Sequence, residues 1–83
     1  MGELMDTNFK TKEEGFEKLK EIIETMLTSQ YKGIYEEAAQ QDYIDILCNL
    51  TNLGVSSEEI ALFKKPYMRK RRYREMFEYY ENL

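Results

Sequence analysis

Apolar side chains recur every three or four positions through most of this chain, and no stretch alternates with the period of two that a strand requires. Phe16, Leu19, Ile22, Ile23, Met26, Leu27 and Tyr31 fall on one stripe at 100° per residue, with Glu13, Glu17, Glu21 and Glu24 opposite. Thr11 followed by Glu14 is a capping-box spacing, so the pattern predicts a helix over 12–31, closed by Gly33. A second helix is predicted over 34–53, with Tyr35, Ala39, Tyr43, Ile46, Leu47, Leu50 and Leu53 on one face and Gly54 just past its end. Ile44 and Cys48, four apart, lie off that face. Ser56 and Glu59 repeat the capping box, and Val55 and Ile60 take the positions of a hydrophobic staple. They predict a short third helix over 57–64. Pro66 is expected to stop it by driving Lys65 out of the helical region, and then to open a fourth helix. Tyr73, Met76, Phe77 and Tyr80 form the apolar stripe of that last helix.

The resulting fold class is all-α: a small single-domain bundle of four helices. The first two form a long antiparallel hairpin, and the short third turns the chain so that the basic C-terminal helix packs across it. Residues 1–11 are read as a flexible N-terminal tail with Phe9 as its anchor, and residues 12–83 as the domain. The expected core is Phe16, Leu19, Ile22, Ile23, Met26, Tyr43, Ile46, Leu47, Leu50, Leu53, Ile60, Phe63, Tyr73, Met76 and Phe77.

Composition narrows the chemistry. At 83 residues the chain supports one modest core. Cys48 is its single cysteine, so no intramolecular disulfide can form, and the absence of histidine removes the commonest metal ligand and neutral-pH general base. The first eleven residues lack the basic and apolar regions of a signal peptide, and no apolar run approaches the roughly 20 residues of a membrane span. A cytoplasmic protein with no membrane partner is the expectation. Carboxylate pairs such as Glu36/Glu37 and Asp42/Asp45 lack a neighbouring nucleophile, glycine-rich phosphate loop or metal motif. Hence no catalytic residues, no metal site and no cofactor are expected, and the chain is not read as an enzyme.

Charge supplies the functional lead. The net charge is −4, yet the segment from Lys64 onward holds seven basic residues against three acidic ones, and every arginine lies between 69 and 74. Residues 1–63 keep five of the twelve basic and thirteen of the sixteen acidic residues. Such separation bears on partners and association rates rather than on fold. On the fourth helix, cations crowd the N-terminal half and Glu75, Glu78 and Glu81 the C-terminal half, against the helix macrodipole. Pairs Arg71/Glu75 and Arg74/Glu78 offset part of that penalty. Met68, Arg72, Tyr79 and Leu83 line up beside the core stripe and widen the apolar face, and Tyr, Met and Arg are the side chains enriched at interfaces.

Two segments resemble a helix-turn-helix. In Leu50–Ile60, the Gly54-Val55-Ser56 spacing to Ile60 is similar to its turn, but Leu50 stands where a small residue belongs. Ser57, Glu58 and Glu59 would open the reader helix and repel phosphate. With Glu58-Glu59-Ile60-Ala61 on the scaffold helix and Arg69–Arg74 on the reader, the segment resembles the end of sigma-type and response-regulator domains. There Lys65-Pro66 replaces the turn glycine, and Arg71 and Arg74 fall on inward positions.

The leading expectation is a small non-enzymatic interaction protein, an adaptor, inhibitor or regulator, that grips an acidic protein surface. Its candidate partner-binding residues are Lys65, Tyr67, Met68, Arg69, Lys70, Arg71, Arg72, Arg74 and Tyr79, cations for charge-assisted bonds and Tyr67, Met68 and Tyr79 as apolar anchors. The alternative is a nucleic-acid-binding regulator using the same helix, and self-association into a homodimer is a sub-case.

Overall fold

The computed structural model describes residues 5–33 and 35–82, the side chains of 30–32 excepted. Helices α1 (Lys12–Lys32), α2 (Glu36–Asn52), α3 (Ser57–Met68) and α4 (Arg71–Glu81) make up an all-α bundle. No helix among the described residues is long and apolar enough to cross a membrane. The expected start of the second helix at Ile34, the place of the Tyr31 side chain on the apolar stripe of the first and the apolar role of Leu83 lie outside the described residues.

Local sequence explains most of the boundaries. The Thr11 hydroxyl accepts from the Glu14 amide, and Gly33, at φ 68°, returns its amide to Ser29 O at 2.8 Å. The α2 C-terminus is a Schellman turn: Val55 N donates to Leu50 O and Gly54 N to Thr51 O, with Gly54 at φ 91°. Ser56 Oγ then accepts from the Glu59 amide and starts α3. The Glu59 carboxylate itself pairs with Lys12 Nζ at 3.0 Å, tying the starts of α3 and α1.

Two boundaries differ from the sequence expectation. Pro66 neither stops α3 nor opens α4; it lies inside α3, which runs on to Met68. The ring removes one amide donor, but packing carries the helix through: Phe63 packs on Phe16 with ring centroids 5.0 Å apart, Tyr67 on Phe63 at 6.1 Å, and Tyr67 meets Tyr73 edge-on at 5.1 Å. Tyr35, expected on the core face of α2, is instead its N-cap, at φ 60° and 65% exposed, with no side-chain capping bond.

One core draws on all four helices. Leu19, Ile22, Ile23, Met26, Ala39, Ile46, Leu50 and Met76 are fully buried, and Phe16, Tyr43, Leu47, Ile60, Phe63 and Tyr67 pack against them. Leu53, expected inside, is 45% exposed because the Schellman turn carries it outward and buries Val55 in its stead. Leu50 at the end of α2 lies near Gly15 at the start of α1, so the hairpin is antiparallel. Residues 5–11 form no helix and lie along α2. Met5 N donates to the buried Asp42 carboxylate at 3.2 Å, Asn49 Nδ2 donates to Thr7 O at 2.9 Å, and Phe9 seats over Gly15.

Tyrosine hydroxyls hold α4 in place. Tyr73 donates to Glu24 of α1 at 2.7 Å, Tyr80 to Met26 O at 3.0 Å, and Tyr79 to Glu36 of α2 at 2.5 Å. Gln40 Nε2 also donates to Tyr80 O. These contacts, with Tyr43 against Phe77 at 6.1 Å, set α4 antiparallel to α2.

Candidate functional site

The α3–α4 junction is a two-residue corner. Arg69 keeps helical dihedrals, Lys70 turns to φ −99° and ψ 127°, and α4 begins at Arg71. Lys70 N donates to Tyr67 O, while Tyr73 and Arg74 amides return to Lys70 O. The edge-on contact of Tyr67 with Tyr73 fixes the angle between the two helices from inside. Everything cationic in the corner is thereby turned outward: Lys65, Arg69, Lys70, Arg71, Arg72 and Arg74 are all exposed.

Some of this charge has work within the fold. Arg74 Nη1 donates to Met68 O at 3.0 Å and satisfies a carbonyl at the end of α3, a use of arginine suited to a helix C-terminus. Arg71 Nε pairs with Glu75 at 3.2 Å, but both side chains are largely in water, where such a pair is worth about 0.5 kcal/mol or less. Lys70 Nζ sits 5.9 Å from the Tyr73 ring centroid. The α4 N-terminus has no side-chain cap and no acidic residue in its first turn, so its exposed amides add to the positive field of the arginines.

The sequence-derived site does not hold together as one unit. Met68, 38% exposed, belongs to α3, so it cannot widen the apolar face of α4 as the pattern suggested. Tyr67 is half-buried, with its phenol pushed above the usual range by burial and then by the nearby Glu24; it is a packing residue of the corner. Tyr79 lies eight residues from Arg71, about 12 Å along the axis, so it stands at the opposite end of α4. Its bond to Glu36 is the main reason its phenol is also raised.

Two residues that the sequence reading left out change the picture. Leu62 is 67% exposed on α3, and Lys65, Pro66 and Arg69 follow it at spacings of three, four and seven, so an apolar side chain borders the cations. Lys64 turns the other way: its Nζ donates to Tyr43 OH at 2.9 Å and lies 4.4 Å from the Phe77 centroid. A signal existed for it, since Ile60, Phe63, Lys64 and Tyr67 share helical spacing on the inner face.

Among the described residues no three His, Cys, Asp or Glu side chains converge as a metal-binding set. Cys48 is exposed and unpaired by any disulfide, and Asp42 is committed to the N-terminal segment. No family model matches the chain, and neither a curated protein nor a solved structure is significantly similar to it.

Proposed function

We propose that the chain is a small non-enzymatic interaction module that docks its α3–α4 corner onto an acidic surface of a protein partner. The observation that supports this reading is the outward array of Lys65, Arg69, Lys70, Arg71 and Arg72 around a rigid two-residue turn, bordered by exposed Leu62 and Met68. Aromatic packing beneath the turn holds the corner's backbone, so docking costs little ordering of main chain. The cations supply charge-assisted bonds and fast encounter with carboxylates, and the two apolar side chains supply the desolvated anchor. Arg74 acts mainly through the corner's geometry.

Affinity capture with the wild type and with an Arg71→Glu/Arg72→Glu variant tests the reading. Both substituted positions are exposed, so folding persists in the variant. Proteins recovered only by the wild type support the corner as the grip, and identical recoveries reject it.

The second reading, a nucleic-acid-binding regulator, draws on the uncapped α4 N-terminus with Arg71 and Arg72 in its first turn. It requires an electrophoretic shift that weakens steeply with salt. Glu75, Glu78 and Glu81 on the exposed side of the same helix disfavour a long phosphate track. Absence of any shift at low salt and micromolar protein removes it.

A further inference from the structure

We infer that a second copy of this chain docks antiparallel on the groove between α2 and α4, forming a two-fold dimer centred away from the basic corner. Gln40, Tyr43, Ile44, Phe77, Tyr80 and Glu81 line a groove of about 240 Å³ with a mainly apolar floor. Ile44, an aliphatic side chain 44% exposed, stands on its edge near the middle of α2. Apolar surface of this kind at the centre of a patch, rimmed by charge, is the anatomy of an interface core.

The distribution of charge selects the occupant. Because α2 and α4 run antiparallel, the groove has two unlike ends. Glu37 and Glu81 mark the end where α2 begins and α4 finishes; Glu37 precedes Ile44 by seven residues and Glu81 follows Phe77 by four, placing each on the groove side of its helix. Lys64 marks the opposite end, above the Phe77 ring, and Arg74, three before Phe77 and seven before Glu81, is on the same stripe of α4. A surface negative at one end and positive at the other is complementary to itself under a two-fold axis across its middle. Each copy's Glu81 end then meets the other's Arg74 end, and the two Ile44 side chains meet near the axis. That isologous arrangement closes on itself, so it yields dimers and no filament. Arg69, Arg71 and Arg72 lie off this face of α4 or beyond it, so of the corner's cations only Arg74, whose Nη1 also holds Met68 O, enters the pairing.

Sedimentation equilibrium from low micromolar to millimolar protein tests the dimer, with circular dichroism confirming that each variant keeps its helices. The wild type moves toward twice the monomer mass as concentration rises. Ile44→Glu stays monomeric throughout. Glu81→Lys, which creates a like-charge contact twice per dimer, weakens association by about tenfold or more. Adding Arg74→Glu to Glu81→Lys in the same chain swaps both ends and restores the dimer to within a few-fold of wild type. Arg71→Glu/Arg72→Glu dimerises as the wild type does. A wild type that remains monomeric at millimolar concentration overturns the proposal, as does an Ile44→Glu variant that still dimerises or a double charge swap no better than the single.

Discussion

The Tyr73 hydroxyl donates to the Glu24 carboxylate at 2.7 Å, and this single bond ties the start of α4, where the cations cluster, to the middle of α1. It sits directly beneath the exposed corner, since the same ring meets Tyr67 edge-on and carries Lys70 above it. The bond is made only by the protonated phenol. The carboxylate partner, then burial, push the Tyr73 phenol from 10.0 up to about 12.

A pH dependence follows from the direction of that shift. The folded state holds the phenolic proton more tightly than the unfolded chain, so this contribution is complete below pH 10 and is lost as pH rises toward 12. Tyr80, raised to about 12 chiefly by burial, acts in the same direction over the same window. Denaturant unfolding at a series of alkaline pH values should show stability falling across this range. Tyr73→Phe should cost about 1 kcal/mol at neutral pH, the ordinary worth of such a bond, and flatten part of the alkaline decline.

Tyr35 occupies a backbone position that its side chain does not favour. At φ 60°, with its ring largely in water, it bears a left-handed penalty of about 1 kcal/mol with no side-chain capping bond to offset it. Tyr35→Asn should raise stability by about that amount, since asparagine tolerates this conformation and can cap α2. Thermal melts of the two proteins check it.

Gly15 is required by what lies above it. A Cβ there would come within 2.5 Å of both Leu50 Cδ2 and Phe9 Cε2. Although alanine favours helix by about 1 kcal/mol over glycine, overpacking against the fully buried Leu50 costs about 1 to 3 kcal/mol. Gly15→Ala should therefore be neutral to destabilising. It should also push Phe9 outward, which faster amide exchange at Met5 would reveal through the bond to Asp42.

Pro66 should be replaceable with profit. It lies in the last turn of α3 and is exposed, so Pro66→Ala restores an amide donor without disturbing the core. A gain of about 1 kcal/mol is expected, below the roughly 3 kcal/mol of a proline in a helix interior. Urea titration measures it.

The helices were readable because their apolar residues recur at one period and their ends carry caps: Thr11, Ser56, Gly33 and Gly54 all sit where local rules place them. Pro66 misled because the rule it invokes is local, whereas the ring ladder from Phe16 through Phe63 and Tyr67 to Tyr73 is tertiary and overrides it. Lys64 and Lys65 are neighbours in one charge run, and the candidate site took Lys65 alone. Helical phase, readable from Ile60, Phe63 and Tyr67, sends Lys64 onto Phe77 and Lys65 into water. Asp42 carried no mark of burial, because its bond comes from residues nearly forty positions away.

In the proposed complex another protein meets the outward corner between α3 and α4. Site-specific photo-crosslinking probes that contact, with a photoreactive amino acid in place of Met68 and, as a control, in place of the exposed Lys20 on α1. A discrete covalent adduct to another protein is expected from position 68, lost when Arg71→Glu/Arg72→Glu is added, and none from position 20. Equal adducts from both positions, or an adduct at 68 indifferent to the charge reversal, would show that the corner is not the grip.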